Sequence, residues 1–264
     1  MYDFKFQRPG GLAAALEAFQ QADDGQFLAG GQTVIPVMKQ RLAMPSDLID
    51  LGALDELKGI TVAGGIVSIG SMTTHAEVAA SEDIRQAIPA LADLASGIGD
   101  PHVRNRGTLG GSIANNDPAA DYPAAVVALS ATVHTDRRQI SGDDFFTGMF
   151  ETALEDGELI TKVDFPVAEA AAYEKFENTA SRYALVAVMV CRRAESVRVT
   201  VIGAGPCVFR VPEMEKALEA EFTSDALKDI AVSYPDLNTD LHASAYYRAH
   251  LIGVLTARAV KKAS

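Results

Sequence analysis

The sequence predicts an α+β protein with a long front part and a smaller back part, and three observations carry that expectation. Short β-like runs bounded by turn residues alternate with alanine- and leucine-rich stretches at helical spacing up to about residue 168. An alanine-rich run from Ala168 to Ala172 then breaks the pattern. Beyond it, strand-like runs come first and helical runs afterwards, as in a separate α+β unit.

The elements follow in order. Met1 to Phe6 alternates apolar and polar side chains like a strand, and Gly10 to Gln21 has helical spacing. Gln26 to Leu28 and Leu48 to Leu51 are short strands, separated by a glycine turn and a helix-like stretch through Met38, Lys39 and Gln40. Ile66 to Ile69 is the next strand. Thr74 and Glu77 have the spacing of a capping box, in which hydroxyl and carboxylate satisfy helix-terminal N–H groups, so a short helix starts there with His75 in its cap. Glu82 to Ile98 reads as a helix and Ala131 to Thr135 as a strand. In the back part, Tyr173 to Phe176, Tyr183 to Cys191 and Ser196 to Ile202 read as buried strands, and Glu213 to Ala220, Ser224 to Ala231 and Ser244 to Lys261 as helices.

With 264 residues and 48% hydrophobic content, the chain can bury a large core without disulfide staples. Its net charge of −12 repels phosphate backbones and anionic lipid, so nucleic acid and membrane surfaces are not expected partners. No apolar run is long enough for a signal core or an integral membrane segment, and the expected location is cytoplasmic. Cys191 and Cys207 are too far apart for a CxxC pair and read as packing residues. An iron–sulfur cluster needs about four thiolates, and the five histidines show no metal-ligand spacing, so any metal centre is expected on another chain.

Two glycine-rich segments carry most of the chemistry. The first, Ala29-Gly30-Gly31-Gln32-Thr33-Val34-Ile35-Pro36, lies between a strand and a helix-like stretch. Paired glycines there let backbone N–H groups face one concavity, which suits a phosphate oxygen, and Thr33 adds a hydroxyl. The second, Asn105 to Asp117, repeats the pattern with Thr108, Gly110, Gly111 and Ser112. Two such nests suit a diphosphate, and charge-assisted hydrogen bonds of roughly 1.5–3 kcal/mol each can hold it without a lysine cluster. Either glycine pair could equally make a tight turn. Val201-Ile202-Gly203-Ala204-Gly205-Pro206-Cys207-Val208 begins like a dinucleotide fingerprint, but its third glycine is replaced by Val208 and an extended segment follows where a helix is required, so it reads as a strand turn.

AGGQTVIPVMK at Ala29 to Lys39, IGDPHVRNRGTLGGSIANNDPAADYPA at Ile98 to Ala124 and FFTGMFETALEDGELI at Phe145 to Ile160 resemble the medium, flavin-binding subunit of aerobic carbon monoxide dehydrogenase and its xanthine dehydrogenase relatives, the molybdenum hydroxylases. The likeness continues through Tyr173 to Phe176, Ser181 to Ala184 and His242 to Leu251, and so spans nearly the whole chain. It implies a two-subdomain PCMH-type FAD-binding region, residues 1–168 with subdomains of about 1–55 and 56–168, and a CO dehydrogenase flavoprotein C-terminal domain over 169–264 with a three-stranded sheet and helices. By resemblance, Gly30, Gly31, Gln32, Thr33 and Val34 form one phosphate loop and Thr108, Leu109, Gly110, Gly111 and Ser112 the other. Gln32 departs from the pattern, since relatives often carry His or another polar residue there. The resemblance also places Asp121 on cofactor hydroxyls, Ile160 against the flavin and Lys175 beside the isoalloxazine, although these could be a helix-terminal charge, plain core and a solvated lysine.

The implied role is electron relay: a molybdopterin-binding large subunit oxidises substrate, a small subunit holds two [2Fe-2S] clusters, and FAD on this chain passes electrons to an external acceptor, in a dimer of heterotrimers. No acid–base or nucleophilic residue is nominated. Two rivals are a self-sufficient FAD-dependent oxidase or dehydrogenase, for which the back part is a small cap, and a flavin-free scaffold subunit. Substrate and acceptor are not legible in this chain.

Overall fold

The structure, a computed structural model, describes residues 1–194, 196–232 and 237–263. The chain opens with β1 (Lys5–Gln7), α1 (Leu12–Gln20), β2 (Gly25–Leu28), α2 (Val34–Lys39) and β3 (Asp47–Asp50), whose strands form a parallel sheet in the order β1-β3-β2. Parallel neighbours need crossover connections, and α1 and α2 supply them. Ala15, Ile49, Leu51, Leu54 and Leu57 make the small core behind this sheet.

A hairpin of β4 (Ile60–Ala63) and β5 (Ile66–Gly70) starts the second unit. There follow α3 (His75–Ala80), α4 (Glu82–Ala87), α5 (Pro89–Ser96), α6 (Pro101–Arg104), α7 (Leu109–Asn115) and α8 (Tyr122–Ala128). The capping box expected at Thr74 is present, with both reciprocal bonds made to Glu77. The single helix expected over Glu82 to Ile98 is two, because Pro89 has no N–H to give and drives Ile88 out of helical geometry (φ −142, ψ 76). Next come β6 (Thr132–Thr135), β7 (Gln139–Ser141), α9 (Gly142–Phe145), the small hairpin β8 (Phe146–Gly148) and β9 (Glu151–Thr152), and β10 (Ile160–Pro166). The antiparallel sheet runs β4-β5-β10-β6-β7, with β10 carrying the chain back through its middle.

The back part contains β11 (Ala170–Glu177), β12 (Ala184–Arg193), β13 (Ser196–Ile202), the two-residue β14 (Phe209–Arg210), α10 (Pro212–Ala220) and α11 (Ala245–Ala263). Its sheet runs β11-β12-β13-β14, one short strand more than the three expected. β12 shows no polar alternation because both its faces are covered. Ala187, Met189 and Cys191 pack into the front core, while Val186, Val188 and Val190 pack toward the core shared with α10 and α11. Each such valine contributes about 1.5–3 kcal/mol. Ser224 to Ala231 makes only a 3-10 turn over Ser224–Leu227; Leu227 and Ile230, three apart, both meet the back core, a spacing that a tight turn serves. Gly203 (φ +80) turns β13 into β14 rather than into a helix, which removes the fingerprint reading of that segment. Among the described residues no helix is long and apolar enough to cross a membrane.

Candidate functional site

The first glycine segment leaves β2 and enters α2. The backbone N–H groups of Gly30, Gly31, Gln32, Thr33 and Val34 have no hydrogen-bond partner in the described chain; the first helical donors with partners are Ile35 to the Gly31 carbonyl and Val37 to the Thr33 carbonyl. Gly31 adopts φ +72, which an L side chain resists. Gly30 is glycine for a different reason: a Cβ there would lie 2.1 Å from the Arg106 carbonyl oxygen and 2.8 Å from the Gly107 Cα. The two glycine segments therefore touch backbone to backbone and form one floor.

The second segment has the same composition and another duty. At the start of α7, Leu109 donates to the Thr73 carbonyl (3.1 Å), Gly110 to the Ser71 carbonyl (2.8 Å), Gly111 to the Thr108 Oγ1 (3.1 Å) and Ser112 to the Thr108 carbonyl (3.0 Å). Its first-turn donors are engaged, so it contributes close approach rather than an open nest. Gly110 packs its bare Cα against Ser71, and Gly111 faces Ala29 of the first segment.

Above this floor lies a cleft of about 620 Å³, within the range of cofactor sites. Of the residues expected at the site, Gly30 to Val34, Thr108, Gly110, Gly111, Ser112, Asp121 and Ile160 line it, whereas Leu109 and Lys175 do not. Leu109 is fully buried in the front core. Ile160 begins β10. Asp121 stands at the N-cap position of α8 but makes no cap; its Oδ1 accepts from the Tyr173 hydroxyl and from the Lys175 Nζ (2.8 Å). Burial pushes the Asp121 carboxyl above the usual carboxylate range, and Lys175 and Tyr173 oppose that push.

Other cleft residues were not nominated as site residues from the sequence. Phe19 and Phe27 stack at 4.7 Å, and Gly157 (φ +65) fits against Phe19 because it has no Cβ. Tyr183, at the entrance to β12, lines the cleft while remaining 54% exposed, and its position within the segment Ser181 to Ala184 was the available signal. His75, read as part of a cap, is the first residue of α3 and is buried, with its ring 5.3 Å from that of Tyr122. Burial, and then Arg104, lower its pKa to about 4, so it lines the cleft as a neutral imidazole.

An unpartnered run of N–H groups, a floor too close for side chains, a stacked aromatic pair and a buried acid suit a dinucleotide: diphosphate on the donors, a ring on the aromatics, hydroxyls on the acid. The fold and cleft thus define a dinucleotide-binding protein of two subdomains, the first around a parallel sheet and the second around an antiparallel one, with an appended α+β unit. The family model for the FAD binding domain in molybdopterin dehydrogenase matches residues 2–168. The chain is 32% identical to the glyceraldehyde dehydrogenase medium chain of Sulfolobus acidocaldarius, with 98% of each chain covered. It is 33% identical to the nicotine 6-hydroxylase medium subunit of Paenarthrobacter nicotinovorans, covering 98% of this chain and 96% of the relative. Among solved structures it resembles carbon monoxide dehydrogenase from Hydrogenophaga pseudoflava, with a TM-score of 0.92, 32% identity, and 99% and 97% of the two chains covered. The chain belongs to the FAD-binding subunits of the molybdenum hydroxylase family; it is an oxidoreductase subunit and its cofactor is FAD.

Proposed function

We propose that this chain relays electrons from the [2Fe-2S] clusters of a small partner subunit to an external acceptor, beside a molybdopterin-binding large subunit, in a cytoplasmic dimer of heterotrimers. The observation that carries the cofactor end of this reading is the run of unpartnered N–H groups from Gly30 to Val34, pressed by Gly30 against the Arg106–Gly107 backbone. When bound, FAD supplies a centre that exchanges electrons singly or in pairs. The chain's own residues bind and orient it. Gly30 to Val34 hold the diphosphate, Gly110 and Gly111 admit it, and Asp121 takes cofactor hydroxyls. The core of the front part extends from residue 67 into the back sheet, so the proposed domains, 1–168 and 169–264, pack on one continuous apolar cluster.

No acid–base pair is assigned, because relay asks the chain for position and potential rather than bond-making. Reconstitution of the purified chain with FAD, followed by rapid mixing with the reduced iron–sulfur partner, tests the reading. Bleaching of flavin absorbance by the partner, and none with small organic substrates alone, is expected. Direct bleaching by such a substrate without a partner would refute it and favour a self-sufficient oxidase.

A further inference from the structure

Lys175 sits one layer behind the cleft. It does not line the cleft, its side chain is only 9% exposed, and its Nζ is committed to the Asp121 Oδ1 at 2.8 Å and to the Gly97 carbonyl at 3.2 Å. Asp121 does line the cleft, with a side chain 6% exposed. Its Oδ1 accepts two donors, the ammonium and the Tyr173 hydroxyl, and an oxygen with two donors aimed at it is not the one carrying a proton. Both donors stand on β11, whose alternation puts Tyr173 and Lys175 on the same face.

We propose that Lys175 is a positioning residue: it meets the cofactor only through Asp121, holding that carboxylate ionised and aimed into the cleft as a fixed acceptor. This rests on the FAD reading for what Asp121 meets. The physical need is plain. A carboxyl buried this deeply without a cation takes up a proton, and a neutral acid is a weaker acceptor that can also rotate. The short bonds from Lys175 and Tyr173 remove both freedoms.

Other groups around Asp121 do not replace Lys175. Tyr122 follows it on α8 with a hydroxyl that has no partner among the described residues, Asp117 lies four residues before it, and Tyr183 enters β12 with its phenol pKa raised by burial and then by Asp117 and Asp121. Arg182 lines the same cleft and donates to the Gly99 carbonyl at 3.5 Å. The end of α5 turns the Gly97 carbonyl, not a charge, toward Lys175.

The test titrates apoprotein with FAD by fluorescence quenching between about pH 6 and 9 for wild type, Lys175→Met, Lys175→Arg, Asp121→Asn and Lys175→Met/Asp121→Asn. The Lys175→Met chain is expected to gain FAD affinity as pH rises, by roughly tenfold across that range, the scale of one charge-assisted hydrogen bond. Lys175→Arg restores the wild-type profile. The double variant is flat and binds no more weakly than Asp121→Asn alone. A flat Lys175→Met profile, with further weakening by about tenfold in the Asp121→Asn background, is what a direct cofactor contact gives and overturns the proposal. Melting without FAD supplies an independent arm. In Lys175→Met the raised Asp121 pKa favours the folded state at low pH, so its melting temperature falls relative to wild type as pH rises, and the double variant does not show this. Coupling in melting with no FAD uptake by wild type would refute the cofactor reading; FAD uptake with no coupling in either arm would refute the positioning role.

Discussion

Gly30→Ala asks whether the two glycine segments work by touching. The added Cβ would lie 2.1 Å from the Arg106 carbonyl oxygen, 2.7 Å from its carbon and 2.8 Å from the Gly107 Cα. Ordinary contacts of this kind are about 3.5 Å, so one backbone must retreat by more than about 1 Å. The second segment is anchored, since Gly107 donates to the Val103 carbonyl at 2.7 Å and accepts from the His75 N–H at 2.9 Å, so the first segment is the one that moves. Overpacking costs about 1–3 kcal/mol, which for a chain of this size lowers the melting temperature by roughly 2–6 °C. Moving the first segment also turns its donors off the diphosphate. Loss of two charge-assisted bonds, about 3–6 kcal/mol, weakens FAD binding by at least about a hundredfold. Gly111→Ala is the matched control. Its Cβ would meet the Thr108 Oγ1 at 3.0 Å and the Ala29 Cβ at 3.3 Å, side-chain atoms that can give by a few tenths of an ångström. Its FAD affinity should fall by less than about tenfold. Fluorescence quenching and differential scanning calorimetry measure both quantities. Wild-type melting and affinity in Gly30→Ala, or a larger loss in Gly111→Ala, would refute the contact as the organising feature.

Two further predictions concern the frame around the site. Arg248, with a side chain 4% exposed, donates to the Leu185 carbonyl (2.6 Å), the Gly203 carbonyl (2.8 Å) and the Asp240 Oδ2 (2.7 Å), so Arg248→Met takes a donor from two carbonyls and should cost about 2–5 kcal/mol in urea unfolding; a loss under about 1 kcal/mol would show the network is dispensable. Burial, and then Arg104, lower the His75 pKa to about 4 from the ordinary imidazole value of about 6.5, so the folded state binds fewer protons there, and stability present above about pH 6.5 is lost as pH falls toward 4, by about 3 kcal/mol at most. His75→Gln should flatten that limb of the melting-temperature profile, and an unchanged slope would remove His75 from the account.

Legibility in the sequence followed the range of the interaction. Glycine pairs between strand and helix were readable because they answer to local backbone geometry, as was the Thr74–Glu77 box, which closes on itself within one turn. The difference between the two glycine segments was not readable. It depends on Ser71 and Thr73, which reach the start of α7 from the end of β5 and take its donors. His75 looked like a cap residue for the same reason: its burial comes from Gly107 and Tyr122 closing over it. Lys175 matched a cofactor position by motif, yet its partner is set by where α8 and the end of α5 meet β11. The break at Pro89, by contrast, was available locally and was outweighed by the helical spacing around it.

The division of labour between the segments explains how a chain of net charge −12 can hold a dianion. Overall charge sets the far field, which salt screens beyond about 8–10 Å, whereas a phosphate at the Gly30 turn meets oriented N–H dipoles at contact distance. Those dipoles are useful only while they lack protein partners, and α2 keeps them free because Gly30 and Gly31 hold the chain in a turn before helical bonding begins at Ile35. In the open cleft these donors face water, and an anion that replaces the water binds only the folded chain and so stabilises it. The same Gly30 contact that aligns the donors also joins the first subdomain to the second, so FAD should raise the melting temperature of both together. Separate transitions in calorimetry, only one of them shifted by FAD, would mean that the contact joins the segments without coupling the subdomains.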